Sequence, residues 1–136
     1  MRTLLAVLAG LVVGAVVNGA LITVSGRVIP PPAGADVATI EGLRAALPLF
    51  EPRHFLFPFL AHAAGTLVGA FLAVRITATR TMRTAFIVGV VFLIGGLANV
   101  LMLPAPLWFN VVDLVGAYLP MAWMGGRLAG GQSAKG

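Results

Sequence analysis

No cysteine occurs anywhere in the 136 residues, which excludes a disulfide framework, a thiolate metal site and a thiol nucleophile. Acidic residues are scarce as well: 4 Asp and Glu stand against 9 Lys and Arg, for a formal net charge of +5. Charged residues make up 10% of the chain, against roughly 25% in an ordinary soluble domain. Apolar residues fill the space: 60% of the chain is hydrophobic and the mean hydropathy is +1.03. A soluble fold this short buries too small a share of its surface to hide so much. The solvent is therefore lipid, and the basic residues serve to orient helices rather than to bind nucleic acid. Motifs of soluble enzymes are missing too. There is no H-E-x-x-H and no G-x-S-x-G, and the Gly125 to Gly130 spacing runs on into Gly131-Gln132 instead of completing a phosphate loop. Nothing calls for a cofactor.

A membrane-spanning helix needs about 20 mainly apolar residues. Four stretches meet that need: 3–25, 55–75, 84–104 and 107–126. The spacing predicts an all-α, four-helix membrane bundle forming a single domain over 1–128, with a disordered cytoplasmic tail over 129–136. The polar segment Ile76 to Arg83 and the prolyl turn Pro104-Ala105-Pro106 are short, so spans 2–3 and 3–4 should form antiparallel hairpins. The first span reads as a retained helix rather than a cleaved leader. Its apolar run is long, only Arg2 precedes it, and no clean A-x-A site follows.

Orientation follows from basic residues near the span ends. Arg2, Arg75, Arg80, Arg83, Arg127 and Lys135 fall on one side. Arg27, Arg44 and Arg53 fall on the other, together with Asp36, Glu41 and Glu51. The richer side should be cytoplasmic, with both termini inside. Trp108 and Trp123 then sit about 22 Å apart near opposite ends of span 4, as an aromatic belt requires.

The 27–53 loop is too long for a simple connector. "VIPPP" should be extended, Asp36 should cap a short helix, and Pro48 should end it. Val37, Ile40, Leu43 and Leu47 share one face, which suits an interfacial spacer or a lid over the bundle mouth. Small residues recur along each span: Ala6, Gly10 and Gly14; Ala61, Gly65, Gly69 and Ala73; Ala85, Gly89, Gly95 and Gly96; Gly116 and Ala117. In lipid such stripes let helix backbones approach, so they should face one another.

Against this background Asp113 stands out. A carboxylate at mid-span costs about 2.5–3.5 kcal/mol on insertion scales. Counting from the loop side, Asp113 lies roughly 9 Å deep, Asn18 and His62 about 10–11 Å, and Asn99 about 7 Å, with Asn110 one turn from Asp113. Each span thus supplies a polar residue to one layer. Pro120 adds another polar group by freeing the carbonyl of Gly116. A polar pocket results, open to the outside, with Asp113, His62, Asn18, Asn99 and Asn110 as its candidates. Pairing Asp113 with His62 would give a proton-exchanging unit. The bland alternative is interhelical glue at around 0.6 kcal/mol per bond. No metal site is expected, because His54 and His62 lie about 12 Å apart along a helix.

Three stretches carry a family resemblance: "VIPPPAGADV", "LFEPRHFLFPFLAHAAGTLVGAFLA" and "VVDLVGAYLPMAWMGGRLA". They resemble an uncharacterised family of small bacterial four-span inner-membrane proteins. The resemblance implies a bacterial plasma-membrane setting and no activity. The functions compatible with the residues are binding or translocation of a small solute or proton, a structural or assembly role in a homo-oligomer or larger membrane complex, and modification of membrane lipids.

Overall fold

The computed structural model describes residues 1–132. Lys135 and the rest of 133–136 lie outside the described residues. Helices α1 (Arg2–Val28), α3 (Leu56–Ile76) and α4 (Met82–Met102) are each single spans. The fourth span is two consecutive pieces, α5 (Leu107–Gly116) and α6 (Leu119–Leu128). With a 3-10 turn at Pro52–Phe55 leading into α3, four helices are long and apolar enough to cross a membrane. The chain is built as a multi-pass membrane protein.

Glycine decides how the helices meet. A Cβ placed on Gly69 would sit 2.6 Å from the carbonyl oxygen of Gly10, and one on Gly65 would sit 2.7 Å from that of Gly14. The two stripes therefore cross antiparallel with backbone against backbone, as small residues permit in lipid. The stripe of α4 docks differently. Gly89 faces Ala122 and Gly96 faces the Tyr118 ring, while Ala85 meets Gly126. Gly95 has nothing within 4 Å, so the expectation that it faces another helix fails. A helix repeats every 3.6 residues, and Gly95 and Gly96 cannot both point at α6. Helix α3 is the central element, in contact with α1, α4 and α6.

The packed core lies at the end of the bundle that holds both termini. Val7, Ala70, Ala73, Val74, Ala85, Val88 and Ala122 close it with small and branched side chains. After α6 the chain turns back as far as Gln132, and the rest of the tail read from 129 lies outside the described residues. Gln132 N–H donates to Arg80 O and Met82 N–H donates to Gln132 O, at 2.8 and 3.1 Å. These bonds tie Gln132 to the turn between α3 and α4.

At the other end, which we call the loop end, the long connection folds over the bundle mouth. Its short helix α2 (Ile40–Ala46) is capped by Thr39, whose hydroxyl accepts from Gly42 N–H at 3.0 Å. Asp36, the expected cap, sits one step back. Its carboxylate accepts from Ala38 N–H and the Thr39 hydroxyl. Those bonds, that to Ala38 N–H first, hold the exposed carboxyl below its ordinary value of 3.8. A 3-10 turn over Leu47–Leu49 follows, with Pro48 at its start. Leu43, Leu47 and Phe50 turn inward against Phe55, Leu103 and Phe109, whereas Ile40 stays exposed.

Arg44 fastens this cover. Its Nε and Nη2 both donate to the carbonyl oxygen of Met102, at 2.9 and 2.6 Å. A cation at a helix C-terminus also meets the negative end of the helix dipole. Arg44→Ala is expected to weaken the cover by about 1 kcal/mol, a discounted value for an exposed charged hydrogen bond. Amide exchange across Ile40–Ala46 should then run about fivefold faster. Unchanged exchange would show that the apolar contacts hold the cover alone.

Candidate functional site

Two helices and the break in the fourth span bring three polar side chains together in the loop half of the bundle. His62 projects from α3, where its carbonyl accepts from the Thr66 hydroxyl at 2.8 Å. Asp113 projects from α5 and is 3% exposed. Its two carboxylate oxygens lie 2.8 and 2.9 Å from His62 Nδ1. Asp113 is expected inside the bundle within reach of His62 or one of Asn18, Asn99 and Asn110, and of these it meets His62.

The third member, Tyr118, is a residue that sequence reasoning missed. It occupies the break between α5 and α6. Helix α5 stops at Gly116, and Pro120 lies in the first turn of α6, where a missing N–H costs little. Between them the chain departs from helical geometry, with Tyr118 at φ −115 and ψ −79. The break swings the ring back over α4 and α3. The Tyr118 hydroxyl donates to Asp113 Oδ2 at 2.9 Å and lies 3.1 Å from His62 Nδ1. The phenol and imidazole rings are nearly parallel, with centroids 5.8 Å apart. Pro120 therefore acts by placing Tyr118. The available signal was the single tyrosine two residues before a mid-span proline.

A cavity of about 320 Å³ opens above this cluster. His62 and Asp113 are the ionisable groups on its wall, and Leu43, Leu47 and Phe50 of the cover roof it. Asn18, Asn99 and Asn110 also line it. None of the three reaches the Asp113 cluster. The amide nitrogen of Asn110 donates to Ala105 O at 3.3 Å, inside the prolyl turn. Asn18 is half-buried and Asn99 is exposed, and neither side chain makes a hydrogen bond among the described residues. Depth along the axis placed these amides correctly, but their rotation about each helix does not bring them into contact.

All five polar-pocket candidates read from the sequence line this cavity, but most of its wall is apolar. Its walls are mainly Ile22, Leu43, Leu47, Phe55, Val100, Leu103 and Phe109, and polar groups cluster at its floor and one side. Helices α1 and α4 meet where Gly14 faces the Phe92 ring. Toward the loop end Asn18 and Ile22 of α1 and Gly96, Asn99 and Val100 of α4 line the cavity together. His54, the other histidine, is buried at the start of α3 and accepts from Glu51 N–H at 2.9 Å through Nδ1. It completes a capping box there. Among the described residues no group of three His, Asp or Glu is placed to hold a metal ion.

The fold and site together define a small multi-pass helical membrane protein with a carboxylate–imidazole–phenol cluster under an apolar cavity. No family model, curated protein or solved structure matches the chain.

Proposed function

We propose that this chain is a bacterial inner-membrane protein, with both termini in the cytoplasm, that binds an amphiphilic molecule from the outer leaflet. The observation that carries the reading is the cavity of about 320 Å³, apolar on its walls and polar at its floor. Ligand sites of this kind are mostly apolar, with a few placed polar groups. The orientation rests on the Arg asymmetry across the spans, and Arg44 and Arg53 on the poorer side are engaged with Met102 O and Glu51. It places the cover, α2, as an interfacial lid facing the periplasm. The three sequence stretches that resemble small bacterial four-span proteins favour the same setting.

Binding is favoured over translocation. A carried solute needs a path to the other side, and the half of the bundle beyond the cluster is filled by Val74, Val88, Ala85 and Ala122. An amphiphile held in the cavity lined by α1, α4 and the cover needs no such path. A second reading, an assembly surface for another chain, draws on Gly19, Gly26 and Gly95, around which there is open space.

Native mass spectrometry of the gently extracted protein tests both readings. One retained amphiphile per chain is expected, and Ile22→Trp, which fills the cavity mouth, should lose it. Protein free of bound amphiphile in both forms would overturn the binding reading. A stable homo-oligomer or a co-purifying subunit with an empty cavity would favour assembly.

A further inference from the structure

The hydrogen bonds of the cluster specify what kind of head group the cavity accepts, given the amphiphile-binding reading on which this inference rests. An ionised Asp113 only accepts hydrogen bonds, which puts the proton between it and His62 on Nδ1. In the neutral imidazole Nε2 then has no hydrogen and is an acceptor. Asp113 is already engaged by two donors and is 3% exposed, so an incoming molecule does not meet it first. His62 lines the cavity, and its Nε2 makes no hydrogen bond among the described residues. No buried side-chain nitrogen or oxygen lacks a partner among those residues, so Nε2 is not sealed inside the bundle.

We infer that the cavity selects an amphiphile whose head is a neutral hydroxyl, an alcohol or a phenol, donating its proton to His62 Nε2. Other head groups fit less well. A quaternary ammonium has no proton to give. A carboxylate or phosphate would meet the charge of Asp113 one imidazole away, with no Arg or Lys on the cavity wall to offset it. Asn18 and Asn99, unengaged on the same wall, supply amide N–H groups for the hydroxyl oxygen. The tail has a route as well. A second cavity of about 210 Å³ shares Ile22, Leu43, Phe50 and Pro58 with the first and continues toward His54 under the cover.

The test uses the full chain in phosphatidylcholine nanodiscs with two probes, farnesol and farnesyl methyl ether. They share a tail and differ in the donated proton. Farnesol should bind about tenfold more tightly than the ether, the worth of one net hydrogen bond to a desolvated acceptor. His62→Phe should bring the two to parity. Nitrogen NMR of labelled wild-type protein should show His62 protonated at Nδ1 and bare at Nε2, with Nε2 shifting when farnesol is added. This measurement does not depend on any variant folding. Equal binding of both probes to wild type, or a proton on Nε2 of the neutral ring, would overturn the head-group assignment while leaving the amphiphile reading intact. Failure of both probes to bind beyond their partition into empty nanodiscs would overturn both.

Discussion

Gly69→Leu is expected to part α1 from α3 and unfold a large fraction of the bundle. The neighbours a side chain would meet there are backbone atoms: a Cβ would lie 2.6 Å from Gly10 O and 3.4 Å from its carbonyl carbon. Backbone cannot rotate out of the way, so the helices must separate. Separation also undoes the neighbouring crossing, where a Cβ on Gly14 would lie 2.5 Å from Gly65 O. Overpacking a well-packed core costs about 1–3 kcal/mol, and a leucine between two helix backbones belongs at the top of that range. Lipid gives nothing back, because apolar side chains are as well solvated by acyl chains as by each other. Gly19→Leu is the matched control. It has open space around it and should leave stability within about 0.5 kcal/mol of wild type. Steric trapping of the unfolded state in bilayers reads both. A Gly69→Leu protein as stable as Gly19→Leu would refute the crossing.

Asp113→Leu has the second largest effect, and its sign depends on what competes. The substitution makes the fourth span more apolar and easier to insert. Once inserted, however, the unfolded chain no longer holds an isolated carboxylate in lipid for folding to relieve. The folded chain meanwhile keeps His62 Nδ1 and the Tyr118 hydroxyl at a site with no acceptor. Each unsatisfied buried group costs about 1–3 kcal/mol, so the net effect on folding is a loss of that order. Asp113→Asn retains one oxygen acceptor and the side-chain volume, and should fold. It no longer dictates which imidazole nitrogen carries the proton. Its defect should therefore be in head-group discrimination rather than in stability, measured by unfolding and by binding on the same preparation. If Asp113→Asn matches wild type in both, the carboxylate is interhelical glue.

The spans were legible because each is a long apolar run, and α4 at Met82–Met102 differs from its sequence reading by two residues at each end. That small-residue stripes meet was legible because four-residue spacing keeps them on one helix face; that Gly10 meets Gly69 and Gly14 meets Gly65 was not. That Asp113 shares a layer with His62, Asn18 and Asn99 followed from depth, which a constant rise per residue makes countable, but depth did not choose His62 among them. Rotation about each axis is not countable in the same way, and so Asn18 and Asn99 were placed at the right level without the contacts expected of them. Tyr118 was hidden by the break. A continuous helix would put it on a different bearing from Asp113, and the backbone at Ala117 and Tyr118 turns it back. Thr39 and Asp36 are both good capping types three residues apart, and composition alone does not choose between them. The bonds from Arg44 to Met102 join residues far apart in the chain, and no local pattern reports them.

The position of Asp113's partner bears on how the protein is made. The fourth span is the least apolar of the four, and it carries the carboxylate. What relieves that carboxylate is His62, on a helix synthesised some fifty residues earlier, roughly the interval between them in the chain. The fourth span is therefore the one whose insertion gains most from α3 being already present and correctly turned. An order of assembly is expected from this: α3 and α4 form the receptive surface, and the last helix is favoured onto them over bare lipid. A chain whose α3 is misoriented would leave its final span reluctant to integrate and exposed to proteolytic clearance, so the same pair that floors the cavity also proofreads the topology.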